Sequence, residues 1–161
     1  MLLLTLIAIM LLFLLNRAHE NFDDDVTVTV NSVTTSVVPV RNLHLYPGVS
    51  KEYKVNLLCE ASGRYDIFLD YEEVFNGGMK HFVNVSVMCE GKEGVIYEGP
   101  LTELLHEDEN GDENIIITLD GYLDAKDPLE IKIIYEMPAS IGNEAQGTSA
   151  DFNINLSIKK N

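Results

Sequence analysis

The acidic stretch from Glu107 to Glu113 holds the densest set of potential metal ligands in the sequence. Its Asp108, Asn110 and Asp112 fall at positions 1, 3 and 5 of a calcium-loop pattern. The glycine stands at position 4, however, where an EF-hand loop needs it at position 6, and no glutamate follows at position 12. The three residues are therefore weak calcium candidates, and the charge pattern favours a solvated acidic loop.

The histidines do not build a second site. The sequence has four of them, scattered at His19, His44, His81 and His106. No two stand at the i, i+4 spacing of a helical zinc site, and neither H-E-x-x-H nor G-x-S-x-G occurs. His44 alternates with Leu43 and Leu45, so we expect it to point outward from a strand. The sequence thus predicts no catalytic residue and no cofactor apart from the calcium candidate.

The charge balance excludes whole classes of partner. The chain has 161 residues with 11 Lys plus Arg against 26 Asp plus Glu, a formal net charge of −15. Such a surface repels nucleic-acid phosphates and anionic lipid headgroups. Hydrophobic residues make up 46% of the chain, which is enough for a globular core in a single domain. Basic partners, divalent cations and solubility are the roles that fit the charge.

Residues 1–20 are predicted to be a signal peptide or an N-terminal membrane anchor. The run from Leu2 to Leu15 is almost continuously apolar but shorter than the about 20 residues that span a bilayer. No Lys or Arg precedes it, and Asn16–His19 lacks a clean cleavage pattern. A cleaved signal, an uncleaved anchor and a truncated start remain as alternatives, and a buried core helix is a fourth. The first three place the rest of the chain outside the cell or on its surface, with membrane contact only through residues 2–15 if this segment is uncleaved.

Residues 21–161 read as strands, because apolar and polar residues alternate along them. The clearest runs are Val26–Val30, Tyr53–Cys59, Tyr65–Tyr71, Val83–Cys89, Ile115–Leu119, Leu129–Tyr135 and Phe152–Ile158. Only Pro100–His106 favours a short helix, with proline at its start. About eight or nine short strands predict an all-β, antiparallel β-sandwich that resembles a jelly roll.

Two local features of the strands carry further predictions. The spacing around Ser62-Gly63 indicates a tight hairpin between the second and third of the longer runs. Cys59 and Cys89 each end the inward face of a strand. If those ends meet, an oxidising exterior favours a disulfide, and the alternative is two buried thiols.

Two motifs carry a family resemblance. One is Asn42–Gly48, and the other runs from Met137 to Gly147 before a last alternating strand. The second is similar to the end of the TasA/camelysin family of exported bacterial proteins, and Val95–Leu101 resembles that family's strand before a small turn. The matching positions are Pro47, Gly48, Pro138, Gly142, Asn143, Gln146 and Gly147. As architecture, Pro47-Gly48 suits a type II turn, and the later pairs would shape a crossover into the last strand.

The resemblance implies a jelly-roll-like sandwich, export, and assembly into biofilm matrix fibres or a surface layer. Some family members carry a metallopeptidase label. Because this sequence shows no zinc-ligand set, we do not extend that label to it. The expected partners are copies of the same chain or related matrix proteins, together with the signal peptidase that acts during export.

Three hypotheses of function follow. In the first, residues 21–40 form a donor-strand arm that adds to the sheet edge of the next subunit, with Val26, Val28 and Val30 as assembly residues. Pairing of the arm within its own subunit is the alternative. The second hypothesis is a cell-surface binding module for calcium, a glycan or a host protein. The third is a camelysin-like metallopeptidase.

Overall fold

The structure, a computed structural model, describes residues 25–91, 94–105 and 115–161. Within these ranges the chain is built mostly of strands, as the alternation predicts. They are β1 (Asp25–Val30), β2 (Val33–Leu43), β3 (Ser50–Cys59), β4 (Gly63–Gly77), β5 (Asn84–Cys89), β6 (Val95–Pro100), β7 (Ile117–Leu123), β8 (Leu129–Glu136) and β9 (Ser149–Lys160).

The strands form two sheets that pack face to face. The five-stranded sheet has the order β1-β3-β8-β5-β6, and the four-stranded sheet has the order β2-β9-β4-β7. The antiparallel pairs are nested along the chain: β2 with β9, β3 with β8, β4 with β7 and β5 with β6. This nesting is the pattern of a long hairpin rolled into two sheets, which is a jelly roll. The predicted fold is confirmed, although β1 runs parallel to β3.

Alternate residues of each strand fill the space between the sheets. In β9, for example, the side chains of Phe152, Ile154, Leu156 and Ile158 are buried while their neighbours face outward. Burial of one face of every strand against the other sheet removes apolar area from water, at about 25 cal/mol per Å². The core is therefore one continuous layer.

Aromatic residues close one part of this core. The hydroxyls of Tyr71 and Tyr135 lie 3.4 Å apart in a hydrogen bond between the two sheets. The Tyr135 ring packs edge-on against Tyr53 and is tilted against Phe152. Burial raises the pKa of both hydroxyls, so both stay protonated and the pair is a neutral structural contact.

The predicted hairpin at Ser62-Gly63 is wrong. The strands on either side, β3 and β4, belong to different sheets, so the segment is a crossover between the layers. Ser62 Oγ accepts a 2.8 Å hydrogen bond from Ala125 N–H and donates to Asp124 Oδ1 at 3.3 Å. The short loop is therefore fixed to the β7–β8 connection. Spacing alone cannot separate a hairpin from an arch, because both need only a few turn residues.

The described ranges contain one α-helix, α1 (Leu101–Leu104), and it lies inside the predicted segment, whose last residue, His106, is outside those ranges. Pro100 precedes it, and Leu101 N–H donates to Val83 C=O at 2.9 Å. Leu104 and Leu105 are buried, so this turn caps the end of the core. Among the described residues, no helix is long and apolar enough to cross a membrane.

Candidate functional site

In the part of the chain that the structure describes, no strand pairs with the outer side of β1, so this side is an open sheet edge. Val30 pairs with Cys59 in the parallel register, and the C=O of Val30 accepts a 3.1 Å hydrogen bond from Glu60 N–H. Because a strand directs the backbone groups of alternate residues to opposite sides, every second residue counted back from Val30 bonds to β3. The N–H and C=O groups of Thr27 and Thr29 therefore point away from the sheet. They form a row of donors and acceptors that another strand could pair with.

The side chains of the predicted assembly residues face the core and not the open edge. Val28 and Val30 are 5% and 0% exposed, and Val26 packs partly buried against the same core. Residues 25–40 of the proposed arm are paired within their own chain, as β1 on β3 and β2 on β9. The arm therefore pairs within its own subunit in this structure, which is the second of the two alternatives. Exchange of the arm between copies stays a prediction. The remaining arm residues, 21–24, lie outside the described ranges.

The edge formed by β2 differs. Lys160 N–H donates to Ser32 C=O at 2.8 Å, which fixes the even-numbered residues of β2 as those that bond to β9. Pro39 therefore faces the open side, where its missing N–H leaves a gap in the row of donors. The register then shifts between Val40 and Leu43, where Asn42 has a φ of 51°. A proline and a bulge are two of the devices that blunt a sheet edge.

Side-chain contacts hold that bulge in place. Arg41 donates from Nη1 to Phe152 C=O at 2.8 Å and from Nη2 to Asn153 Oδ1 at 2.7 Å. Asn42 N–H donates to Asp151 Oδ1 at 2.7 Å. The blunted end of β2 is thus fixed to β9 by side-chain contacts, which hold the bulge in its irregular conformation.

The opposite side of the sandwich repeats this contrast. Asn161 N–H donates to Arg64 C=O at 2.9 Å, so the even-numbered residues of β4 bond to β9 and the odd-numbered residues bond to β7. In β7 the backbone groups of Thr118 and Tyr122 then face outward, and no described strand pairs with them. The neighbouring edge strand β6 ends in Pro100 and is interrupted by a register shift. Each side of the molecule therefore has one open edge and one blunted edge.

The first family motif forms the turn that its residues predict. Val49 N–H donates to Tyr46 C=O at 2.9 Å across Pro47-Gly48, and Gly48 has a φ of 78°. This is the geometry of a type II turn, which requires a positive φ at its third residue. Gly48 N–H also donates to Met137 C=O at 2.8 Å, which joins the first motif to the start of the second.

The second motif forms the ordered crossover from β8 to β9. Ile141 N–H donates to Pro138 C=O, and a single 3-10 turn, Asn143–Ala145, follows Gly142. Gln146 Nε2 donates to Asn143 Oδ1 at 3.2 Å. Gly147, whose φ is 75°, follows these residues and leads toward β9.

A cleft of about 300 Å³ lies between the two motifs, with His44 and Tyr46 of the first motif on one wall and Gly142 and Gln146 of the second among the residues of the other. His44 is exposed, as predicted, but it lies just beyond the end of β2 instead of within a strand, and its Nδ1 is 2.8 Å from Thr148 C=O. Most polar groups here bond to their own turns. We therefore interpret the motif residues as architecture.

The cysteines do not form a disulfide. Cys89 and Val55 pair with the same residue, Ile131, from opposite sides of β8, and Cys59 lies four residues beyond Val55. Two strand spacings alone amount to about 10 Å, whereas a disulfide needs Cα atoms about 4.4–6.8 Å apart. Of the two alternatives that the sequence left open, the structure therefore shows two buried free thiols. Desolvation on burial raises the pKa of the Cys59 thiol.

The calcium candidates Asp108, Asn110 and Asp112 lie outside the described residues. Within the described ranges, no three His, Cys, Asp or Glu side chains come together in a group that could hold a metal ion.

No protein-family model and no curated protein matches the sequence. Among solved structures, the chain is similar to the pre-peptidase C-terminal domain of a Bacillus anthracis collagenase, at 10% identity and a TM-score of 0.34, over 82% of this chain and 93% of that one. It is also similar to the periplasmic inhibitor of g-type lysozyme from Salmonella Typhimurium, at 12% identity and a TM-score of 0.32, over 83% and 98% of the two chains. The Aeromonas hydrophila inhibitor gives 14% identity and a TM-score of 0.34, over 84% and 97%. TM-scores this low carry no partner, ligand or activity over to this chain. None of the three is named for the TasA/camelysin family, so that resemblance stays a prediction.

Proposed function

We propose that this chain is an exported, non-enzymatic structural protein whose copies join by β-strand addition into fibres or a surface layer of the extracellular matrix. The observation that carries the proposal is the pair of open edges, β1 and β7, on opposite sides of the sandwich. The export segment that the sequence predicts and the resemblance to exported matrix proteins support it.

The positions of the open edges favour a filament over a closed dimer. If β1 of one copy pairs with β7 of the next, the contact joins two different surfaces and leaves both edges open at the ends of the assembly. Such a head-to-tail contact grows without closing unless its rotation forms a ring. The two strands are of similar length, with 6 and 7 residues. Their outward side chains include Thr27 and Thr118, and threonine pairs are favourable across strands.

Charge sets the conditions for this assembly. Each copy carries a formal net charge of −15, and Asp25 and Asp120 stand on the two edge strands. Like charges slow the approach of two copies, and salt screens them over about 10 Å at 0.1 M. We therefore expect assembly to be faster at moderate than at low ionic strength.

The test is electron microscopy and sedimentation of the chain from Asn21 onward, followed over time and across pH and salt. We expect regular filaments from the parent chain. Thr27→Pro and Thr118→Pro each remove an outward N–H from one open edge without removing a bond inside the sheet. Either variant should stay a folded monomer.

Thr35→Pro is the matched control. It is the same exchange at an outward position of β2, an edge that Pro39 already blunts. Filaments should persist in this variant. Filaments that persist in folded Thr27→Pro and Thr118→Pro would contradict the edge mechanism, and a parent chain that stays monomeric under all conditions would contradict self-assembly.

A surface binding module is the second candidate. It is favoured by one feature that assembly does not use, a groove on the outer face of the four-stranded sheet.

A further inference from the structure

The groove crosses the outer face of the four-stranded sheet. It encloses about 580 Å³ and is lined by residues of β2, β9 and β4 and by the residue that precedes β7. The lining residues that matter below are Thr35, Val37, Phe68, Asp70, Ile116 and Asn155. Because most of them stand on paired strands, the site is held more rigidly than a loop would hold it.

The strand register brings these residues into two adjacent rows. Asn155 pairs with Val37 on one side and with Asp70 on the other, so the three lie side by side across the sheet. In the next row, Thr35 and Phe68 both pair with Ser157. Directly paired side chains stand about 4.5–5.5 Å apart. One ligand can therefore touch the phenyl ring and the polar groups together.

The apolar side chains of the groove are exposed to solvent. Phe68 is half-buried, and Val37 and Ile116 are 56% and 51% exposed. Elsewhere the outward residues of these strands are mostly charged or polar. An aromatic ring in the same groove as two exposed aliphatic side chains offers an apolar surface to one face of a ligand.

The polar groups of the groove are not used by the fold. Within the described part of the chain, the side chains of Thr35, Asp70 and Asn155 make no hydrogen bond. By contrast, Asp66 on the same face accepts a 2.8 Å bond from Asn161. The groove thus offers a hydroxyl, a carboxylate and an amide, which together can donate to and accept from a ligand.

This combination suits a sugar. A pyranose has one face of C–H groups, which packs on an aromatic ring, and a rim of hydroxyls, which bond to carboxylates and amides. The negative charge around the groove narrows the choice of sugar further. Asp70 lies in the groove, Asp66 and Glu72 flank it on the same strand, and the whole chain is strongly acidic. An anionic polysaccharide or a second acidic copy would be repelled, whereas an amine would be attracted.

We propose that the groove binds an amino-sugar polymer, with a sugar ring on Phe68 and a protonated amine at Asp70. Binding of matrix polysaccharide would be a function separate from edge-to-edge assembly, since the groove lies on a sheet face and the open edges lie at the sides.

The test is calorimetric titration of the full-length protein with a glucosamine hexamer. An N-acetylglucosamine hexamer and an oligogalacturonate are the comparison ligands. The glucosamine hexamer should bind, the acetylated hexamer should bind at least about tenfold more weakly because a charge-assisted bond is lost, and the anionic oligomer should not bind.

Three variants separate a specific site from general attraction. Phe68→Ala and Asp70→Asn should each weaken binding by about tenfold or more. Glu72→Gln is the matched control, because it removes the same charge from the same face of β4 outside the groove lining. The affinity of Glu72→Gln should change less than about twofold, because Glu72 does not line the groove and an exposed charge without a direct contact contributes little.

Several outcomes would overturn the inference. They are no binding of the glucosamine hexamer, equal binding of the acetylated hexamer, and equal losses in Asp70→Asn and Glu72→Gln. Filament formation by Asp70→Asn should match the parent chain. Failure of the groove and failure of the open edges are therefore distinguishable.

Discussion

The edge strands β1 and β2 follow each other in the chain and lie on the same side of the sandwich, yet they meet solvent differently. Both are rich in Val and Thr. In β1, the outward N–H and C=O groups form an uninterrupted row. In β2, Pro39 removes one outward donor, and the bulge at Asn42 twists the end of the strand. The capacity of an edge to add a strand therefore depends on which backbone groups face outward, and composition does not report it.

The other side of the molecule has the same contrast, since β7 is open and β6 is blunted. One open edge on each side permits growth in one direction through two different surfaces. The blunted edges lie beside them and restrict pairing to one strand per side. We regard this restriction as the feature that would separate ordered filaments from edge-to-edge aggregation.

The largest expected effect comes from a proline substitution in β1, and it depends on whether proline replaces Val28 or its neighbour Thr27. Val28→Pro removes an N–H that bonds to β3 and disturbs a buried side chain, so we expect a loss of about 3 kcal/mol in the free energy of unfolding. Thr27→Pro, whose N–H faces outward, should cost less than about 1 kcal/mol. Urea denaturation measures both. Equal losses would show that the assignment of inward and outward groups is wrong.

Thiol labelling reports the opening of β1 directly. Cys59 pairs with Val30 at the end of β1, whereas Cys89 lies in β5, between β8 and β6. Burial raises the pKa of Cys59, so its thiol is mostly protonated near pH 8 and should alkylate slowly, at a rate that rises with pH.

Because an edge strand opens more easily than a central one, we expect Cys59 to react about tenfold faster than Cys89. Val28→Pro should widen that ratio. Mass spectrometry of alkylated peptides measures it, and equal rates at the two cysteines would contradict the local opening of β1.

The blunted edge can be opened by one substitution. Pro39→Thr restores an outward N–H on β2 and should change the free energy of unfolding by less than about 1 kcal/mol. Placed in the Thr27→Pro background, where β1 is closed, it should restore part of the self-association that sedimentation detects. A double variant that stays monomeric would show that the bulge and Arg41 blunt β2 without help from the proline.

The smallest expected effect concerns the bulge itself. Asn42 has a φ of 51°, which glycine adopts more easily than any other residue. Asn42→Gly should therefore raise the free energy of unfolding by about 0.5 kcal/mol, and Asn42→Ala should lower it by about 1 kcal/mol. Thermal unfolding of the two variants distinguishes these signs. A gain from alanine would show that backbone strain is absent at this position.

Much of the fold follows from local patterns. The alternating runs predict most of the strands because burial of one sheet face imposes a two-residue period. The type II turn at Pro47-Gly48 follows from proline's fixed φ and glycine's tolerance of positive φ. The segment that forms β2 was not among the predicted runs, although a proline within a strand favours an edge position and Pro39 stands there. The groove was missed because Phe68 and Asp70 look like ordinary outward residues of β4 until β2 and β9 are placed beside them.

The sequence by itself determined that the chain forms short, half-buried strands, that it is strongly acidic, and that its motifs form turns. These properties depend on neighbouring residues and on totals of charge. Only the tertiary structure decided that β3 and β4 lie in different sheets, that Cys59 and Cys89 stay apart, and that β1 and β7 expose their backbone groups. These depend on the pairing of distant strands, since the same local pattern is compatible with a hairpin or an arch and with an edge or a central position.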